Sequence, residues 1–153
     1  MKILVLHGPN LNLLGSRETD IYGTTTLADI DQGLVKLGSQ LGLTVECTQH
    51  NSEADLLKEI QRAPAAGFAG ILINPAAYGH TSIALRDALL SVQLPFVEVH
   101  LSNIFAREPF RQHTYLSDIS SGVVVGFGPQ SYFLGLRGLA ERLGQPGQDC
   151  LHL

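Results

Sequence analysis

Lys2-Ile3-Leu4-Val5-Leu6-His7-Gly8-Pro9-Asn10-Leu11-Asn12-Leu13-Leu14-Gly15-Ser16-Arg17-Glu18 changes character in its middle. Lys2–Leu6 is an almost unbroken apolar run, the pattern of a parallel strand covered on both faces. Gly8-Pro9-Asn10 then stops the strand, and no hydrophobic period returns until Leu27. A connection that long in a compact domain is usually functional or disordered. This one carries Asn, Arg, Glu and Tyr22 among glycines, which predicts a lid over an active site. A strand at the very start, followed by a loop and then a helix, is the opening of an alternating β/α chain.

The rest of the chain repeats the alternation. Thr26 and Asp29 form a capping-box pattern ahead of a helix over Leu27 to Leu41, with Leu27, Ile30, Leu34, Leu37 and Leu41 on one face. Gly42 is its expected stop. A second strand is predicted at Thr44–Gln49. Ser52 and Asp55 start the next helix, which turns Leu56, Leu57 and Ile60 inward and ends at Pro64. A third strand spans Gly70–Asn74. The helix after it, capped by Thr81 or Ser82, uses Ile83, Leu85, Leu89 and Leu90 as its apolar side. A fourth strand is Pro95–Val99. Ile104–Ser120 reads as loop and short helix, and a fifth strand as Gly122–Gly126. Gly128-Pro129 begins the last helix, with Tyr132, Leu136, Leu139 and Leu143 as its stripe. The fold class is therefore α/β: a five-stranded parallel sheet with helices on both faces, in the flavodoxin-like order 2-1-3-4-5. Residues 1–143 form one domain, and 144–153 a Gly/Pro/Gln tail.

Composition narrows the function. The net charge of −4, with no basic run, argues against nucleic acid. No apolar run is long enough to span a bilayer. The apolar start lacks a small-residue cleavage site and reads as a strand, not a signal peptide. Cys47 and Cys150 fit no metal spacing and suit free thiols in a reducing cytoplasm.

In open parallel sheets, ligands bind beyond the carboxyl ends of the strands. Strand one is followed by His7, Asn10, Arg17 and Tyr22, and strand three by Asn74 and His80. Strand four brings Glu98, His100 and Ser102, with Arg107 and Arg111 soon after. Strands one, three and four are adjacent in the expected order, so these groups converge. Each also has an ordinary reading: His7 as a shielded core histidine, Asn10 as a turn residue, the arginines as solvated charge. Nucleophile-elbow, phosphate-loop and dinucleotide motifs are all lacking. His80 and His100 have no third ligand at a metal-like spacing, so no metal is expected. A flavin- or phosphate-binding module would want Ser, Thr and Gly after strand one, where Pro9, Asn10 and leucines stand. A catalytically dead relative would lack an acid or a base.

Several separate motifs resemble type II 3-dehydroquinate dehydratase (type II dehydroquinase). They are Gly8-Pro9-Asn10-Leu11-Asn12, Leu14-Gly15-Ser16-Arg17-Glu18, Tyr22-Gly23, Asn74-Pro75-Ala76-Ala77-Tyr78-Gly79-His80-Thr81-Ser82, Arg86-Asp87, Glu98-Val99-His100-Leu101-Ser102-Asn103, Arg107-Glu108 and Arg111. Gly79 departs from the threonine expected there and could loosen the turn holding His80. The resemblance implies anti elimination of water from 3-dehydroquinate to 3-dehydroshikimate, through an enolate, in the shikimate pathway. It implies no cofactor, and a cytoplasmic homododecamer built as a tetramer of trimers. Tyr22 becomes the proton acceptor, His100 the proton donor, and Arg17 the transition-state stabiliser that lowers the Tyr22 pKa. Asn10 would stabilise the enolate and Glu98 would orient His100. Asn74, His80, Leu101, Ser102 and Arg111 would bind substrate, together with Asp87 from a neighbouring subunit.

The chemistry is physically reachable. A free tyrosine, with a pKa of about 10, needs about 4 kcal/mol to become a base near neutrality. One unit cation at about 4 Å supplies roughly that much at an effective dielectric of 20. Imidazole titrates near neutrality and suits an acid. Glu98 and His100, two apart on a strand, share a face.

Overall fold

The computed structural model describes residues 1–16, 20 and 23–144. Arg17, Tyr22, Cys150 and the predicted tail beyond Gly144 lie outside the described residues. Five parallel strands, β1 (Lys2–His7), β2 (Thr44–Gln49), β3 (Phe68–Asn74), β4 (Phe96–His100) and β5 (Gly122–Val125), form one sheet in the order β2-β1-β3-β4-β5. Among the described residues, four α-helices cover it: α1 (Leu27–Gln40), α2 (Glu53–Arg62), α3 (Ile83–Val92) and α4 (Gln130–Arg142). This is the expected topology. Among the described residues no helix is long and apolar enough to cross a membrane.

Strand pleating sorts the core into two layers. Ile3, Val5, Leu72, Val97 and Val99 face Ile30, Leu34 and Leu37 of α1 and Tyr132, Leu136 and Leu139 of α4. The alternate residues Leu4, Leu6, Ile71, Ile73 and Phe96 face Leu56 and Ile60 of α2 and Leu85 and Leu89 of α3. A strand buried on both faces must be apolar throughout, which is why β1 carries no alternation. The helix starts are capped as their sequences suggest. Thr26 and Asp29 complete a reciprocal capping box on α1, and the Ser52 and Ser82 side chains accept from the Asp55 and Leu85 amides.

Some boundaries and faces differ from expectation. β3 starts at Phe68, because its first residues pair with β1 beside an irregular register step at Lys2/Ile3. β4 runs on to His100, whose partner is Val125. Ile83 and Leu90 of α3 are 57% and 50% exposed, since Leu85, Ala88 and Leu89 supply the buried face.

The connections leave β1 and β3 on opposite sides of the sheet, so a crevice opens between their carboxyl ends. One glycine makes the approach there possible. A Cβ on Gly8 would stand 2.4 Å from the Pro75 carbonyl oxygen. Without it, the Gly8 amide donates to the Asn74 carbonyl at 2.8 Å and ties the loop after β1 to the loop after β3.

Candidate active site

A cavity of about 180 Å³ lies in this crevice. Asn10 enters from the β1 loop, Asn74 and His80 from the end of β3, and His100, Leu101, Ser102, Arg107 and Arg111 from the end of β4. Leu11, Leu13, Leu14 and Ile104 form its apolar wall. Asn10 and Ala76 hold positive φ values of 68° and 51°, uncommon outside glycine, where the chain turns into the cavity.

Glu98 and His100 leave β4 on the α2/α3 face. Glu98 is wholly buried and His100 nearly so. The His100 ring donates from Nε2 to Glu98 Oε1 at 2.7 Å. The other Glu98 oxygen accepts from Ser117 Oγ at 2.6 Å and Thr114 Oγ1 at 3.1 Å. Burial pushes the Glu98 carboxyl up, but the His100 hydrogen bond and charge, with the two hydroxyl donors, together hold it below its ordinary value. An ionised Glu98 fixes the orientation of the ring. With Nε2 committed to Glu98, Nδ1 is the His100 atom left to exchange a proton.

His80 stacks on His100 with ring centroids 5.8 Å apart. Its Nδ1–H donates to the His113 carbonyl at 2.8 Å. Burial lowers its pKa, and the nearby His100 and Arg111 charges act in the same direction against the His113 bond. A neutral His80 of this tautomer keeps Nε2 as an acceptor, suited to a substrate hydroxyl. Gly79 sits in a filled space: its Cβ would fall 2.7 Å from Pro75 Cγ, and its carbonyl accepts from the Tyr115 amide.

Asn74 is 3% exposed and leaves β3 on the opposite, α1/α4 face. Its Oδ1 accepts from the Ala76 amide at 3.1 Å. Ser102 lies within 3.5 Å of an Arg107 Nη1, and Glu108 accepts from Arg111 at 2.9 Å.

The family model for class II dehydroquinase matches residues 1–140. The chain belongs to the class II dehydroquinase family. A curated 3-dehydroquinate dehydratase of Xanthomonas oryzae pv. oryzae is 58% identical over 92% of this chain and 95% of its own. One of Stenotrophomonas maltophilia is 61% identical over 86% and 89%. The type II dehydroquinase structure from Propionibacterium acnes superposes with a TM-score of 0.86 at 46% identity, covering 92% of this chain and 96% of that one. That from Butyrivibrio crossotus gives 0.88 at 41% identity, covering 91% and 97%.

In this class II dehydroquinase the structure gathers Asn10, Asn74, His80, His100, Leu101, Ser102 and Arg111 around one cavity, with Glu98 directly behind His100. Asp87 is not among them. It is exposed on α3 and does not line its own chain's cavity. Sequence reading missed Thr114 and Ser117, whose hold on Glu98 spans an irregular segment with no periodic signal. It also missed a polar cluster on the α1/α4 face. There, ligand atoms of His7, Asp31 and Cys47 lie within 4.8 Å of one another, close enough to suit a metal ion.

Proposed function

We infer that this class II dehydroquinase is a 3-dehydroquinate dehydratase, a hydro-lyase of the shikimate pathway that converts 3-dehydroquinate to 3-dehydroshikimate. The observation that carries the reading is the 58% identity to a curated 3-dehydroquinate dehydratase across nearly the whole of both chains. The cavity supports it, since a small polyol acid needs several neutral hydrogen-bonding groups and cations in one crevice.

The reaction removes a proton alpha to a ketone and expels a hydroxyl one carbon further. Tyr22, as phenolate, takes the proton, and the C–H electron pair passes into the enolate. Arg17 stabilises the phenolate and the developing negative charge. Asn10, directly or through a water, donates to the enolate oxygen. The enolate then collapses, forming the carbon–carbon double bond as the hydroxyl leaves. His100 delivers a proton to that hydroxyl from Nδ1, so water departs, and Glu98 balances the imidazolium. The two proton transfers occur on opposite faces of the ring, an anti elimination. Substrate carboxylate is held by Ser102 and the backbone at Leu101. Hydroxyls are held by Asn74, His80 and Arg111, whose fork of donors suits adjacent oxygens. No cofactor enters these steps.

The proposal extends to assembly and location. The catalytic unit is residues 1–143, acting as a homododecamer, a tetramer of trimers, in which a neighbouring subunit supplies Asp87. Supporting this are the exposed Asp87 beside the outward Ile83 and Leu90 on α3, and the exposed Phe105 and Phe110. Cys47 is a free thiol, in keeping with a cytoplasmic enzyme.

The test is the ultraviolet absorbance of the conjugated enone formed from 3-dehydroquinate, for wild type and Tyr22→Phe. Enone formation by wild type, abolished in a folded Tyr22→Phe, is expected. An assembled wild type that forms no enone would overturn the dehydratase reading.

A further inference from the structure

The polar cluster on the α1/α4 face reaches the cavity through Asn74. His7 and Asn74 are register partners at the ends of β1 and β3. Strand parity turns both toward α1 and α4. His7 is completely buried, as is Tyr132. His7 Nδ1 lies 2.6 Å from the Tyr132 hydroxyl, and Nε2 lies 2.8 Å from Asp31 Oδ1. The Asn74 carboxamide is close enough to the same hydroxyl to offset part of the effect of burial on it.

We propose that Asp31, His7 and Tyr132 form a one-directional hydrogen-bond chain that positions the Asn74 carboxamide toward the substrate. The direction follows from the inventory of donors and acceptors. The Ala76 amide is a donor, so the Asn74 atom it meets is Oδ1. The Asn74 NH₂ end therefore faces Tyr132 and donates to it. Burial pushes the Tyr132 phenol far up, so it stays protonated and must place its own hydrogen. The acceptor at hand is His7 Nδ1. His7 then carries its proton on Nε2 and donates to Asp31. Rotating the Asn74 amide would set its NH₂ against the Ala76 N–H and its oxygen against a phenol already committed to His7. One Asn74 N–H is thus spent on Tyr132 and the second is left for the cavity.

The same logic decides between this chain and a metal site. A cation on His7 Nε2 would force the ring proton onto Nδ1, pointing at Tyr132. The buried phenol hydrogen would lose its acceptor, a penalty that buried polar groups rarely carry. Burial, with Asp31 beside it, also pushes the Cys47 thiol far up, so it resists becoming the thiolate a cation needs.

The proposal rests on the dehydratase reading and on Asn74 contacting substrate. His7, Tyr132 and Asp31 are positioning residues. The experiment is steady-state kinetics on 3-dehydroquinate for His7→Leu, His7→Gln and Tyr132→Phe, with melting curves, plus the ¹⁵N tautomer spectrum of His7 in wild type. His7→Leu and Tyr132→Phe should each raise KM about tenfold, the loss of roughly one oriented hydrogen bond, with a smaller change in kcat. His7→Gln keeps an acceptor and a donor and should recover most of that loss. The wild-type spectrum should show the proton on Nε2. A wild-type KM in folded His7→Leu, or equal damage in His7→Gln and His7→Leu, would overturn the proposal. So would an Nδ1–H tautomer or an imidazolium. An inactive wild type would instead sink the dehydratase reading, and the tautomer would still decide whether the chain exists.

Discussion

The Glu98 carboxylate meets the His100 ring at 2.7 Å, with Ser117 and Thr114 closing on its other oxygen. A wholly buried carboxylate is held ionised here because every oxygen has a donor, and its charge is aimed at one ring. Glu98→Gln keeps the shape and removes the charge. It should lower kcat more than it raises KM, by less than the ~10²–10⁴-fold expected for removing a general acid itself in His100→Ala. Steady-state kinetics of both variants check this. A Glu98→Gln enzyme with unchanged kcat would remove Glu98 from the proton-transfer step.

The same pair sets an acid limit on stability. The Glu98 folded-state pKa lies below its ordinary 4.5, so the unfolded chain binds its proton first as pH falls. The contribution is complete above the ordinary value and is lost as pH drops through the folded one. Urea unfolding of wild type should weaken over that window, and the Glu98→Gln curve should be flatter there. Parallel curves would show that Glu98 does not titrate differently on folding.

His80 titrates in the same sense at higher pH. Burial first, then the His100 and Arg111 charges, place its folded pKa below the ordinary 6.5. Stability from neutral His80 is complete above 6.5 and falls with acidification toward the folded value. A proton NMR titration should find a His80 midpoint below 6.5. A midpoint above it would mean that His80 meets substrate as a cation and not as an acceptor.

Arg17 and Tyr22 are expected to act as a unit. Removing the cation in Arg17→Gln should move the basic group's limb in the kcat/KM profile toward alkaline pH, by up to ~3 units. If that limb stays fixed in a folded Arg17→Gln, another group lowers the tyrosine or another residue is the base.

Asp87 offers a test of shared sites. Asp87→Ala and His100→Ala, each weakly active alone, should regain activity when co-assembled, because some mixed sites then hold both native residues. Mixtures no better than the sum of their parts would place Asp87 outside the neighbour's site.

Gly8 and Gly79 separate two kinds of close packing. Gly8→Ala drives a Cβ to within 2.4 Å of backbone oxygen, whereas Gly79→Ala meets the edge of the Pro75 ring. Overpacking of this kind costs about 1–3 kcal/mol, and Gly8→Ala should stand at the upper end or beyond. Denaturant midpoints give the order, and a smaller loss at Gly8 would mean the loops after β1 and β3 are not tied together.

Much of this protein is written locally. Hydrophobic period and cap chemistry act over a few residues, so Leu27–Gln40 with its Thr26/Asp29 box, the apolar β1 and the Ser52 and Ser82 starts could be read directly from sequence. Alternation of such elements limits the topology to very few arrangements, which brings Asn10, Asn74, His80 and His100 to one edge of the sheet. Side-chain pairing across the fold has no local signal. Nothing in the run around His7 announces Tyr132, which lies 125 residues away, and nothing around Glu98 announces Ser117. The exposure of Ile83 and Leu90 is equally silent, because an apolar helix position does not say which neighbour will cover it. Sequence determined the strands, the caps and the residues at the strand ends. Tertiary structure decided which of their atoms are donors, which are acceptors and which remain for substrate, because only packing brings distant polar groups within hydrogen-bonding range.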